Sequence, residues 1–281
     1  MNPYKIEYNG LTIDNNSQYR ITKQDGLDGI PIRVSEDPIT NKHGGNIWAQ
    51  KYDMREFSFE GYLWGYDASD FMTKRRALVK AFAILSNTDS DELRITMWDG
   101  SIKKIRAKVV QQPMIVDISG RVTQTNFRIE FKAPDPFFYA DDTQELTLEL
   151  ESSVGFPVPM PVPSPVTGSG GNIETINNLG DVSSVASFRI NGTVTNPTIT
   201  NLANGQAFQI DTSLVTGEYI DVYIEQGNLY VTKNDGSNYM EYFSGVIPAI
   251  EVGNNDLMFT ANEYSASASV DVTFSSKFLS I

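Results

Sequence analysis

Phe131-Lys-Ala-Pro-Asp-Pro-Phe-Phe-Tyr-Ala-Asp-Asp142 is the stretch on which the reading of this chain turns. Phe127, Ile129 and Phe131 alternate as they would along one face of a strand, and Pro134 and Pro136 then end it. Each proline lacks an N–H and pushes its predecessor into extended geometry. A strand-ending turn accounts for the local shape; the two flanks give the stretch its weight. Residues 1–140 hold 19 Lys+Arg against 18 Asp+Glu, whereas residues 141–281 hold 3 against 17, which together make the net charge of −13. Such an asymmetry marks two units in different surroundings.

At 281 residues the chain is long enough for two domains, and 40% apolar with 20% charged residues is a globular composition. With no Cys there are no disulfides, no thiolate chemistry and no zinc–thiolate site. The opening Met1-Asn-Pro-Tyr-Lys-Ile-Glu7 has no apolar core of signal-peptide length, and no later run is long enough to span a bilayer. The expectation is a soluble chain, folded in a reducing cytoplasm, without membrane insertion. The acidic second half lacks the clustered Lys and Arg that phosphate binding needs, so no direct nucleic-acid binding is expected.

In order, Tyr4 to Ile13 reads as a hairpin about Asn9-Gly10, followed by a short strand from Tyr19 to Thr22. The turn Asp25-Gly-Leu-Asp-Gly29 leads to a strand at Ile30 to Val34, and Ser35 to Asn46 reads as a polar loop that holds the only histidine, His43. From Trp48 to Tyr62 the sequence alternates, with Phe57 and Phe59 against Glu56, Ser58 and Glu60. Then the period changes: Phe71, Leu78, Phe82 and Leu85 predict a helix over 67–86, capped by Asp67 or Ser69, with Lys74, Arg75, Arg76 and Lys80 on a solvated face. Leu93 to Trp98 and Ile102 to Val110 flank Asp99-Gly100, read as a type I′ turn, and a further hairpin runs from Met114 to Phe131. Phe156 to Pro165 has proline at every second residue and, with the glycines of 167–171, reads as a stiff strap between domains. Beyond it short strands recur at roughly ten-residue spacing, separated by Gly-containing turns, the pattern of a β-sandwich. The division expected is 1–140, a linker at 141–175, and 176–281.

The sequence carries no P-loop, dinucleotide fingerprint, Gly-x-Ser-x-Gly elbow or His-Glu-x-x-His pair. One histidine cannot build a triad or metal site without partners, so His43 is read as a solvated loop residue. Asn234-Asp235-Gly236 reads as a turn rather than part of a calcium loop. No catalytic, metal or cofactor residue is singled out, and the expectation is a protein that is not an enzyme.

The order of these parts resembles the distal tail protein (Dit) family of long-tailed, non-contractile bacteriophages. The resemblance rests on the strand, helix and hairpin order of residues 1–131 and on Phe131 to Asp142, which is similar to the family's aromatic-x-Ala-x-Asp-Pro-aromatic stretch. It continues through Ile176-Asn-Asn-Leu-Gly-Asp181, Ile190-Asn-Gly-Thr-Val-Thr-Asn-Pro-Thr-Ile-Thr-Asn201, Asn234-Asp-Gly-Ser-Asn238 and the closing Val270 to Leu279. It implies a mainly β fold with one helix: an N-terminal α+β ring-forming (belt) domain and a C-terminal galectin-like β-sandwich. It also implies a homohexameric ring that joins the tail tube protein to the tail-associated hub protein, with receptor-binding proteins at its periphery, located at the virion's tail tip and assembled in the host bacterial cytoplasm. Because loops carry recognition, Asp25, Gly26, Leu27, Asp28, Gly29, His43, Gly44 and Gly45 are the expected subunit contacts.

Two other classes stand beside this one. A carbohydrate-binding β-sandwich would need aromatic platforms; Trp48, Trp64 and Trp98 all lie in the first half, and Tyr219, Tyr223, Tyr230, Tyr239 and Tyr242 in the second are read as alternating core aromatics. A glycosidase needs only two carboxylates at a set distance, and no pair stands out.

Overall fold

The computed structural model describes residues 5–15, 17–39, 43–84, 91–150, 172–225, 227–265 and 267–281. It is mainly β with one α-helix among the described residues. The chain divides into two units: residues 1–141 with 278–281, and residues 142–277. Residues 144–149, within the segment expected to be linker, form a strand of the second unit, and 278–281, at the end of the expected sandwich, pack in the first. The alternation of Leu146, Leu148 and Leu150, with Leu148 and Leu150 buried, supplies the reason for the former. The proline run 156–165 and the glycines of 167–171 lie outside the described residues.

In the first unit, one sheet runs in the order Leu11–Ile13, Lys5–Tyr8, Glu92–Thr96, Ile102–Arg106, Phe138–Ala140, Lys277–Phe278. A second runs Met114–Asp117, Gln124–Ala133, Arg55–Trp64, Tyr19–Asp25, with Lys108–Val109 also pairing to Gln124–Ala133. Asn9 and Gly10 both have positive φ, 44° and 75°, as a two-residue hairpin turn requires. At Asp99-Gly100 the expected type I′ turn is not formed, because only Gly100 has positive φ. Instead Met97 N–H donates to the Ser101 carbonyl across a three-residue loop, and the Asp99 carboxylate accepts from both the Ser101 N–H and hydroxyl. Asp235-Gly236-Ser237 in the second unit repeats the arrangement, which identifies that motif as a turn.

The helix spans Ala68–Ala81, with Asp67 as the N-cap accepting from the Asp70 N–H at 2.8 Å. Asp70 in turn accepts from the Tyr66 N–H and the Gln18 amide, and these bonds hold its carboxyl below the usual range. Phe71, Leu78 and Ala81 face inward. The helix stops short of the expected 86 with buried Phe82 at the C-cap, stacked on Tyr8 at 5.4 Å and edge-on to Phe131 at 5.9 Å. Phe57, Phe59 and Phe131 complete this aromatic core in stacked and edge-to-face pairs. Gly65 is needed where the helix crosses: a Cβ there would lie 2.6 Å from the Phe71 backbone.

Two expectations about 30–62 are corrected. Ser35 to Asn46 is not simply a polar loop, for strands Ile32–Pro38 and Gly45–Tyr52 pair with each other as a separate two-stranded ribbon. Trp48 to Tyr62 is two strands, because Asp53 folds back, its N–H on the Pro31 carbonyl and its carboxylate accepting from the Met54 N–H.

The second unit is a β-sandwich. One sheet runs Gln144–Glu149, Ser269–Phe274, Ser187–Asn191, Tyr219–Glu225, Asn228–Lys233; the other runs Ile173–Asn178, Gly253–Thr260, Thr198–Asn201, Ala207–Ile210, Phe243–Gly245. Their apolar faces share one buried cluster that includes Phe188, Phe208, Phe259 and Phe274. Buried amides lock one end: Asn201 donates to the Ala249 carbonyl and to Asn255 Oδ1, and Asn255 donates to the carbonyls of Glu251 and Gly253. Asn178 donates to the carbonyls of Val182 and Ile250 and accepts from the Gly180 N–H. Each buried polar group is thereby satisfied, as a buried amide must be. Tyr219, Tyr223 and Tyr230 are not core as expected; they alternate with buried Ile220, Val222 and Val231 and so lie on the outward face.

Tyr8 and Tyr19 donate to the carbonyls of Ala107 and Lys74, and burial, with Asp91 and Asp70 respectively adding to it, pushes both phenols up to about 12. The folded chain holds these protons to about pH 12, whereas the unfolded chain releases them near 10. Stability is therefore full below pH 10 and declines as pH rises from 10 to about 12. Denaturant midpoints across that window should show the decline, and Tyr8→Phe with Tyr19→Phe should lessen it, the remainder coming from Tyr139, whose phenol burial and Asp135 also push up.

Candidate assembly surface of the first unit

The Arg55–Trp64 strand opens on a guanidinium that is fully buried. Arg55 Nε donates to the Pro136 carbonyl at 2.7 Å, Nη1 to the Leu27 carbonyl at 2.6 Å and the Gly26 carbonyl at 3.4 Å, and Nη2 to the Leu279 carbonyl at 2.6 Å. Its planar fork also lies 4.6 Å from the centroid of the Phe138 ring. Burial lowers its pKa, and the nearby Asp28 carboxylate offsets part of that. One side chain thus fixes the turn 25–29, the Pro136 segment and the returning C-terminal residues within this unit. Sequence reasoning passed over it, since a lone Arg at the start of a strand carries no pattern.

Of the expected contact residues, Leu27 is buried at 2% exposure, and Gly26 has φ +78° with a would-be Cβ 2.2 Å from the Glu56 carbonyl. Both serve the fold of the turn. Asp25, Asp28 and Gly29 are exposed on it. His43, Gly44 and Gly45 are exposed at the far end of the ribbon, where the Ile39 N–H donates to the Gly44 carbonyl. The two groups are not brought together: one precedes the ribbon's base and the other forms its tip.

Between them lies what the sequence reading missed. Ile32 pairs with Tyr52, Val34 with Gln50 and Glu36 with Ile47, and a bulge between Ser35 and Glu36 displaces Trp48. Paired residues share a face, so Ile32, Val34, Ile47 and Tyr52 line one side, while Arg33 and Lys51 are opposite each other on the other side. These apolar groups are open to water: Ile32 is 57% exposed, Ile47 60% and Trp48 69%. Among the described residues the ribbon is anchored at its base, with Tyr52 edge-on to Phe137 at 5.5 Å. A two-stranded ribbon is marginal alone in water, and an apolar face on one marks an interaction surface. The available signal was Ile32-x-Val34 and Ile47-Trp48 flanking Gly44-Gly45, hidden by the polar residues between.

Among the described residues no group of three or more His, Cys, Asp or Glu is placed to hold a metal, and no helix is long and apolar enough to cross a membrane. In the second unit a shallow groove is lined by Asn191, Glu218, Tyr219 and Ser267, but Arg189 covers one face of Tyr219 at 4.3 Å while pairing with Asp221.

Arg55→Met should leave four carbonyls without their donor, each at a cost of about 1–3 kcal/mol where water cannot reach. Denaturant unfolding of the variant should show a loss of at least about 3 kcal/mol, and Arg55→Lys should recover little of it because an ammonium lacks the fork.

No protein-family description and no curated protein sequence matches the chain. Among solved structures, the Dit protein of phage SPP1, described as a paradigm of the hub adsorption apparatus in phages that infect Gram-positive hosts, is similar with a TM-score of 0.66 at 14% identity, over 98% of this chain and 99% of that one. A chain of the phage P2 baseplate, in its activated conformation with calcium, is similar with a TM-score of 0.52 at 11% identity, over 99% of each chain. The chain therefore has the fold of a phage distal tail protein along nearly its whole length.

Proposed function

We propose that this chain is a structural subunit of a phage tail tip: a distal tail protein whose first unit associates with further copies of itself into a ring. The observation that carries the reading is the solvent-exposed apolar side of the paired strands Ile32–Pro38 and Gly45–Tyr52 on a unit that has the Dit fold. A ring subunit needs surfaces that fit another copy rather than catalytic groups. Six copies, a tail tube protein on one side, the tail-associated hub protein on the other, and receptor-binding proteins at the periphery complete the proposal. Its place is the virion, with assembly in the host cytoplasm. The acidic second unit would favour solubility and discourage wrong contacts. Asp25, Asp28, Gly29, His43, Gly44 and Gly45 remain proposed contacts through their places before the ribbon's base and at its tip.

One observation favours a second reading, sugar binding by the second unit. Tyr223 and Tyr230 stack on each other at 5.3 Å on its outward face, with Tyr230 40% exposed.

Light scattering of the purified chain over a range of concentrations, followed by negative-stain imaging, tests the leading reading. A closed particle of about six copies is expected. Trp48→Asp should abolish it while changing the unfolding free energy by no more than about 0.5 kcal/mol, since Trp48 is exposed. A monomer at every concentration, with saturable signals for the full chain on a glycan array, would transfer the assignment to sugar binding.

A further inference from the structure

The ribbon needs a receiving surface, and the outer side of the helix offers one. Met72 is 44% exposed there, and Met72, Val79 and Ala83, with Gln112 from the neighbouring loop, line an open groove edged by Arg75, Arg76 and Lys80. Arg75 is engaged by Asp117 at 3.0 Å, whereas Arg76 and Lys80 are exposed and have no ion pair among the described residues. The groove is thus an apolar floor with free positive charge at its edge.

The ribbon carries the complement. Glu36 lies directly across from Ile47, on the apolar face, and Asp37 follows it on the opposite face; both are exposed and have no ion pair among the described residues. The lengths also agree. The seven residues Ile32–Pro38 extend about 20 Å at strand rise, and the 14-residue helix about 21 Å at helical rise.

We infer that the ribbon of one copy lies along the helix groove of the next, with Ile47 and Trp48 on Met72 and Val79, and Glu36 against Arg76 and Lys80, while Asp37 on the opposite face adds negative charge beside the contact. The inference rests on the ring reading above and names the partner surface. Ribbon and groove are different surfaces of one chain, so the contact is head-to-tail and closes into a ring when its rotation allows. Trp is a favoured anchor at interface centres, and Met adapts its shape to what it meets. The first unit's 19 basic and 19 acidic residues leave no net charge to oppose the approach of two copies.

A charge exchange tests this. Glu36→Lys with Asp37→Lys makes the ribbon basic against a basic groove, and Arg76→Glu with Lys80→Glu makes the groove acidic against an acidic ribbon. Each double variant alone should self-associate at least about tenfold more weakly than the wild type. Mixed together they should recover association, because every contact in an alternating ring then pairs opposite charges. All four positions are exposed, so unchanged melting should accompany the loss. Because the chain has no cysteine, Ile47→Cys and Met72→Cys chains, mixed and oxidised, should form a cross-linked dimer in high yield. Groove variants that assemble like the wild type, no recovery on mixing, or no cross-link within assembled particles would overturn the inference and leave the ring reading standing. A wild-type chain that never assembles would remove both.

Discussion

Arg55 is the group on which the first unit depends. Its guanidinium is out of water, and four backbone carbonyls converge on it from parts of the chain far apart in sequence: Gly26 and Leu27, Pro136, and Leu279. Irregular segments that turn inward carry carbonyls that no sheet can satisfy, and each must find a donor. A guanidinium supplies five donors in a fixed plane, so one residue replaces several turns' worth of hydrogen bonds. The stretch Phe131 to Asp142 is held in the same place, with Phe138 beneath the guanidinium and Tyr139 donating to Asp135. Burial and that bond to Asp135 keep the Tyr139 phenol protonated far above its ordinary range.

With its base held this way, the chain can project a ribbon that does not stabilise itself. The pairing of Ile32–Pro38 with Gly45–Tyr52 satisfies the inner backbone groups and leaves one apolar side in water. That arrangement costs stability in the free chain and is offset only when the side is covered. The cost makes sense for a subunit whose stable state is an assembly. In the proposed ring, the neutral first unit would make the contacts and the acidic second unit would favour solubility.

Much of the fold was legible because it is written in local chemistry. Asn9-Gly10 specified its turn through two positive φ values, and Phe57 and Phe59 specified a half-buried strand by alternation. Asp67, Phe71 and Leu78 specified a capped amphipathic helix. The Asp-Gly-Ser turns show the limit of such reading: Asp99 and Asp235 use their carboxylates to hold a following serine, and only the glycine takes positive φ. Strand Gln144–Glu149 was legible in its leucines but was outweighed by the prolines after it. The candidate site was not legible. A ribbon that meets the rest of its unit only at its base, among the described residues, has no reason to show core periodicity, and Arg55 takes its meaning from carbonyls as far as 224 positions away.

Hydrogen exchange on the chain before and after assembly tests the central claim most directly. If the ribbon is the contact, the outward amides of Ile32–Pro38 and Gly45–Tyr52 exchange rapidly in the free chain and become strongly protected in the assembled particle. Protection acquired elsewhere, with the ribbon amides exchanging as fast as before, would contradict the account.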